Sequence, residues 1–287
     1  MKIVAALERA ISSVPGATVL HRSSDPDHNR SVITFAGDAE ALEDAAVKAA
    51  AMARDLIDLT VHRGVHPRLG ALDVLPFVPL EGATLDGCLI LARRTASRIW
   101  RELGIPVYLY QAAALLPDRV RLEDVRRGQF EGLREQSLVD ESKRPDIGGP
   151  GLHPTAGAVI VGARKILIAY NINLKSTNLA IAKEIARAIR TSTGGFPNVK
   201  ALGLPLESRG LVQVSINLTD FEVTPIHVVF EEVARLAAMH NVEIEESELI
   251  GLVPRKALEM AFAHWLKLPA FAGDNVIETR LAKLRDA

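Results

Sequence analysis

The sequence has one cysteine, Cys88, in 287 residues. That excludes an internal disulfide and fits a reducing compartment. Cys88 lies in an apolar helical pattern, where a thiol serves as a small buried filler. Aromatic residues are scarce, at 5%, and none of the strand patterns carries the aromatic platform on which small sheets stack RNA bases. Neither sign of charge predominates: 34 Lys plus Arg stand against 35 Asp plus Glu, a net charge of -1. A nucleic-acid binder normally shows a basic excess or stripe. No nucleic-acid partner is therefore expected, and any attraction for anions must be local. Long apolar runs are missing as well. The longest, residues 156–171, is cut by Arg164 and Lys165, short of a membrane span. Glu8 and Arg9 interrupt the first apolar stretch where a secretory leader needs continuity. The expectation is a cytoplasmic protein with no membrane contact.

What is present suits a globular chain of two small domains: 48% hydrophobic and 24% charged residues. Residues 2–13 carry apolar side chains at helix spacing. Residues 17–20 and 31–36, rich in Val, Thr, Ile and Phe, read as strands around a polar turn. Asp38 and Thr84 are natural N-caps for helices ending near residues 58 and 104. Strands are expected over 71–77 and 106–110, and a helix over 122–136 that Gly128 and Gly132 weaken. Residues 140–157 hold four glycines and three prolines and read as an ordered binding loop. Beyond it, residues 166–174, 178–190, 199–206, 211–218, 225–240 and 242–249 alternate as β-α-β-β-α-β, the split form of a ferredoxin-like sandwich. The first half has a related rhythm that lacks an opening strand. The predicted class is α/β (α+β), with two ferredoxin-like βαββαβ-type subdomains facing each other, the first strand of the N-terminal one missing. The expected domains are residues 1–166 and 167–287.

Three segments are stranger than structure alone requires. In the first, His62 and His66 stand at the i, i+4 spacing by which two imidazoles share a metal on a helix. Gly64 and Pro67 disfavour a helix there, and no HExxH pattern occurs, so no metal is expected. A loop histidine before a strand suits general acid/base work, because an imidazole titrates near pH ~6.5; it can equally just cap the loop. The second is Gly148-Gly149-Pro150-Gly151-Leu152-His153-Pro154-Thr155-Ala156-Gly157. Its glycines permit close backbone approach to a ligand, although it has neither dinucleotide nor Walker spacing, and a rigid interdomain linker would read the same. The third is a basic group, Arg30, Arg68, Arg164 and Lys165, beside the two unusual loops and suited to carboxylates.

The blocks His66-Pro67-Arg68-Leu69-Gly70-Ala71-Leu72-Asp73-Val74 with Pro76-Phe77-Val78-Pro79, Asn29-Arg30-Ser31-Val32, Pro106-Val107-Tyr108-Leu109-Tyr110 and Gly162-Ala163-Arg164-Lys165 resemble the formiminotransferase domain family. Residues 167–174, 213–218 and 248–254 continue the resemblance, which runs from about residue 5 to 262. It implies two α/β subdomains with folate bound between them, and a homodimer. It implies transfer of a formimino group from N-formimidoyl-L-glutamate to tetrahydrofolate in histidine degradation. His66 then stands at the family's catalytic position, and residues 148–157 at its folate-binding segment. Arg30, Arg68, Arg164 and Lys165 are the candidates for the substrates' carboxylates, and tetrahydrofolate is a co-substrate with no metal. The same features would serve a folate enzyme acting on a formyl group, or an inactive folate-binding homologue. The family's opening strand and turn have no counterpart before Lys2. The chain ends without the helical cyclodeaminase domain of the animal enzyme, so deaminase activity is not expected.

Overall fold

The computed structural model describes residues 2–25, 29–64, 66–269, 271 and 273–285. The chain divides into two compact units, residues 1–165 and 166–287, each with its own core.

The first unit opens with helix α1 (Lys2–Ser12), strands β1 (Thr18–Asp25) and β2 (Arg30–Ala36), and helix α2 (Ala39–Leu56). Asp38 caps α2, accepting from the Ala41 N–H. The buried face of α2 is mostly alanine (Ala45, Ala46, Ala49, Ala50 and Ala53). Such a face lets flanking layers approach closely: Ile11 and Val14 fill a cluster on one side. The other side meets helix α3 (Leu85–Leu103), which Thr84 caps and Gly104 ends.

Strands β3 (Val74–Phe77), β4 (Val107–Gln111) and β5 (Val159–Ala163) form a parallel sheet in the order β3-β5-β4. Parallel strands are covered on both faces, and every residue of β5 is buried. Helices α2 and α3 cover one face, where Val107, Leu109, Val159 and Val161 point. The other face carries Tyr108, Tyr110, Ala158 and Ile160 under α4 (Leu122–Val125) and α5 (Gln129–Val139). The helix expected over 122–136 is thus two helices. The break falls before Gly128, whose φ of 97° lies outside the helical region. The sheet is also in two pieces: β1 and β2 pair only with each other, whereas the sequence rhythm suggested one sheet. No described strand joins the hairpin to the parallel strands.

The second unit follows its expected pattern strand by strand. It runs β6 (Ile168–Leu174), α6 (Leu179–Ile189), β7 (Val199–Leu206), β8 (Leu211–Leu218), α7 (Ile226–Met239) and β9 (Ile244–Ile250). The sheet order is β7-β8-β6-β9, antiparallel throughout, the ferredoxin-like arrangement. Alternate residues Ile168, Tyr170, Ile172 and Leu174 join Val212, Val214, Ile216 and Leu218 under α6 and α7. The other face is polar: buried Asn173 accepts from Gln213 at 2.9 Å and donates to Glu246 at 3.2 Å. Helices α8 (Arg255–Trp265) and α9 (Ile277–Arg285) close the chain.

Candidate active site in the first unit

The described residues of 57–73, all but residue 65, lead from α2 toward β3 without helix or strand. They carry His62, His66, Arg68 and Asp73, and three sets of bonds fix their path. The Leu59 N–H donates to the Thr155 carbonyl at 2.8 Å, and the Ala71 N–H to the Ala156 carbonyl at 2.9 Å. Asp73 Oδ1 accepts from the N–H groups of Leu69 and Gly70, at 2.7 and 3.2 Å. At the hairpin tip, Asn29 Nδ2 donates to the Arg63 carbonyl at 2.6 Å. His66 is half-buried at the bend of this path.

Arg68, expected to meet a substrate carboxylate, spends its guanidinium inside the unit. It grips Glu131 through two bonds of 3.0 and 2.7 Å and donates to the carbonyls of Leu59 and His62. Its charge is already answered, and its geometry braces the turn around His66. Lys165 is exposed at the end of the unit, with its carbonyl accepting from Arg164 at 3.0 Å.

Arg30 and Arg164, by contrast, belong to one cationic cluster. Arg30 is exposed as a residue, yet the surroundings of its guanidinium hold its pKa below the ordinary arginine value. Partial burial is the first cause and repulsion from Arg126 the second, opposed by Asp73 and Asp25. It remains protonated at neutral pH. Arg126 ion-pairs with Asp73 Oδ2, and its own Nε is buried with no hydrogen-bond partner among the described residues. Arg164 hydrogen-bonds the Tyr110 hydroxyl, and Tyr110 also feels Arg126. Burial pushes the Tyr110 phenol up, so it stays neutral. Its ring lies over Gly162, where a Cβ would come within 2.7 Å of Tyr110 Cε1. Arg126 and Tyr110 have no place among the sequence candidates. Arg126 reads as ordinary helix surface and Tyr110 as strand core, and only the fold brings Arg126 to Asp73 and Tyr110 to Arg164.

The loop 148–157 is less open than its composition suggests. Gly148 lies flat on the Trp100 indole, where a Cβ would stand 2.6 Å from Cδ2. Leu152 packs on the Tyr108–Ile160 face. His153 closes the last turn: its Nδ1 accepts from the Ala156 N–H at 3.0 Å, and its backbone exchanges two bonds with Gly157. Gly157, at φ 70°, bridges Gly70. Gly149, Pro150 and Pro154 remain exposed. This loop therefore holds up the His66 segment from beneath. Among the described residues no group of three or more His, Cys, Asp or Glu side chains could hold a metal ion. No described helix is long and apolar enough to cross a membrane.

Comparison with known proteins fits this layout. The N-terminal subdomain of the formiminotransferase domain matches residues 1–164, and the formiminotransferase domain itself matches residues 169–279. The chain belongs to the formiminotransferase family. It is 44% identical over 269 residues to glutamate formimidoyltransferase of Streptococcus pyogenes serotype M1, covering 94% of this chain and 90% of that one. It is 45% identical over 276 residues to glutamate formimidoyltransferase of Thermoplasma acidophilum, covering 96% and 90%. Formimidoyltransferase-cyclodeaminase of Mus musculus is 43% identical over 270 residues, 92% of this chain and 50% of the mouse protein. The formiminotransferase chain described here is a transferase, and the two matched segments fall one in each compact unit.

Proposed function

We propose that the chain moves the formimino group of N-formimidoyl-L-glutamate onto N5 of tetrahydrofolate, with His66 as general acid/base. N5 attacks the formimino carbon, and the new C–N bond gives a tetrahedral intermediate. The N5 proton leaves to His66. The bond from that carbon to the glutamate nitrogen then breaks, and His66 returns the proton to the departing nitrogen. L-glutamate and 5-formimidoyltetrahydrofolate result, with atoms and charge balanced.

The observation that carries this reading is the braced loop: a half-buried histidine three residues from a turn that Asp73 pins, beside a cluster of arginines. Both substrates carry glutamate carboxylates, for which arginines are apt partners. The kinship with two glutamate formimidoyltransferases supports the choice of group transferred. Residues 148–157 are proposed as the folate-binding segment, and a cytoplasmic homodimer as the working form, which sedimentation velocity and fractionation test. For the chemistry, turnover of N-formimidoyl-L-glutamate with tetrahydrofolate is followed in wild type and His66→Ala. The variant should lose roughly two to four powers of ten in kcat, the span of general acid/base catalysis, with tetrahydrofolate affinity little changed. Wild-type turnover by a folded His66→Ala protein would sink the assignment.

A further inference from the structure

The Asp73 carboxylate does two jobs at once. Oδ1 holds the Leu69 and Gly70 amides, three and four residues beyond His66. Oδ2 holds Arg126, 53 positions away on another element. A rigid, planar carboxylate shared this way fixes the distance between the histidine's loop and one particular guanidinium. That guanidinium is largely enclosed, with 15% of the side chain exposed, and its Nε, like that of Arg68, is buried with no partner among the described residues. Buried donors are nearly always paired, and an exception calls for an explanation.

The charges point the same way. Arg30, Arg126 and Arg164 are linked through Asp73 and Tyr110, while the carboxylates acting on Arg30 are Asp73 and Asp25. Arg164 is held by two neutral oxygens, the Tyr110 hydroxyl and the Lys165 carbonyl. Burial lowers the pKa of Arg30 most, and repulsion from Arg126 adds to it. An incoming anion relieves that repulsion, and a carboxylate offers a planar acceptor that matches the guanidinium fork.

We infer that Arg126 is the specificity-determining residue for a carboxylate of the amino-acid donor, with Asp73 as the positioning residue that sets Arg126 at a fixed reach from His66. The inference rests on the proposed reaction for the donor's identity. The binding of a carboxylate at Arg126 does not depend on turnover.

The test has a kinetic and a binding arm. In the first, kcat/KM is measured for N-formimidoyl-L-glutamate and for its glutamine and isoglutamine analogues, each with one carboxylate replaced by an amide. Wild type should penalise at least one amide by roughly 10–100-fold, the range for hydrogen bonds to charged groups. Arg126→Gln should erase that preference through KM while kcat stays within about threefold, and Arg126→Lys should restore part of it. Asp73→Ala should lower kcat as well as raise KM, because it removes both acceptors of the clamp. In the second arm, glutarate binding is measured by calorimetry without tetrahydrofolate. Wild type should bind it and Arg126→Gln should not. If no formimino transfer occurs but glutarate binding vanishes in Arg126→Gln, the reaction assignment fails and the carboxylate site stands. An unchanged amide penalty or unchanged glutarate affinity in folded Arg126→Gln and Arg126→Lys proteins overturns the inference.

Discussion

Gly157→Ala is the sharpest perturbation of the scaffold beneath His66. At φ 70° an L side chain is strained, at roughly 1–2 kcal/mol. The new Cβ would also fall inside the van der Waals shell of the Leu69 carbonyl oxygen and 2.9 Å from Leu59 Cδ1. The Leu69 carbonyl, a backbone group, cannot step aside cheaply. The Leu69 carbonyl accepts from the Ala158 N–H at 3.2 Å, and the Ala71 N–H donates to the Ala156 carbonyl at 2.9 Å. Separating the strands of this bridge sacrifices those two bonds, about 1 kcal/mol each. Together the costs come to about 3–4 kcal/mol, against a stability of ~5–15 kcal/mol for a typical domain. At about 2–4 °C per kcal/mol for a unit of this size, melting should fall by roughly 6–16 °C. The displacement also reaches Gly70 and so Asp73's grip on the loop, and misplacement by ~1 Å can cost ~10²-fold in kcat. Gly132→Ala, on α5, is the control. Its backbone is not left-handed, and the new Cβ would meet nothing nearer than Gln136 Nε2 at 3.7 Å. Differential scanning calorimetry and turnover on the two variants decide the matter. A Gly157→Ala protein melting within about 2 °C of wild type, with unchanged kcat, refutes the bracing role.

Two further measurements test the same region. The His153 imidazole is pushed below its usual pKa, first by burial and then by Arg54, and its Nδ1 must be unprotonated to accept from Ala156. The fold thus favours the neutral ring. This contribution to stability is fully present above the unfolded value of ~6.5 and is lost as pH falls through the folded value. An NMR titration of His153 should show a midpoint below ~6.5, and a midpoint above that contradicts the bonding described. Asp146 and Arg119 form a buried pair at 2.6 Å, with Asp146 4% exposed and also accepting from the Leu109 N–H. Asp146→Ala strands the arginine and should cost about 3–5 kcal/mol in urea unfolding; a loss under about 1 kcal/mol contradicts that account.

The second unit was legible in the sequence because alternation there is local. Ile168, Tyr170, Ile172 and Leu174 mark one face of a strand without reference to anything else. The first unit was harder. Its sheet is parallel, so pairing follows crossovers that periodicity does not encode, and the division of the sheet into a hairpin and three strands left no local trace. The site shows the same divide. His66 stood out because a histidine between Gly64 and Pro67 is conspicuous chemistry in a loop. Arg68 stood out for the same reason, but its partner Glu131 lies 63 positions on, and that contact turns a ligand candidate into a brace. Arg126 was invisible because its meaning comes from Asp73, across a comparable gap. Residue type and spacing disclose which groups have the right chemistry. Which of them are already occupied is decided by long-range contacts.

The contact between Gly148 and Trp100 has an optical consequence. The chain has two tryptophans, Trp100 in the first unit and Trp265 in the second. Trp100 touches the loop proposed to take folate, with the indole lying against Gly148. Trp265, on α8, donates to Glu231 at 3.3 Å. Replacing Trp265 by phenylalanine therefore leaves a single tryptophan, whose emission, excited apart from that of the three tyrosines, reports on the polarity and packing at the start of that loop. The protein carries, without any label, its own spectroscopic gauge of whether residues 148–157 shift when a ligand arrives.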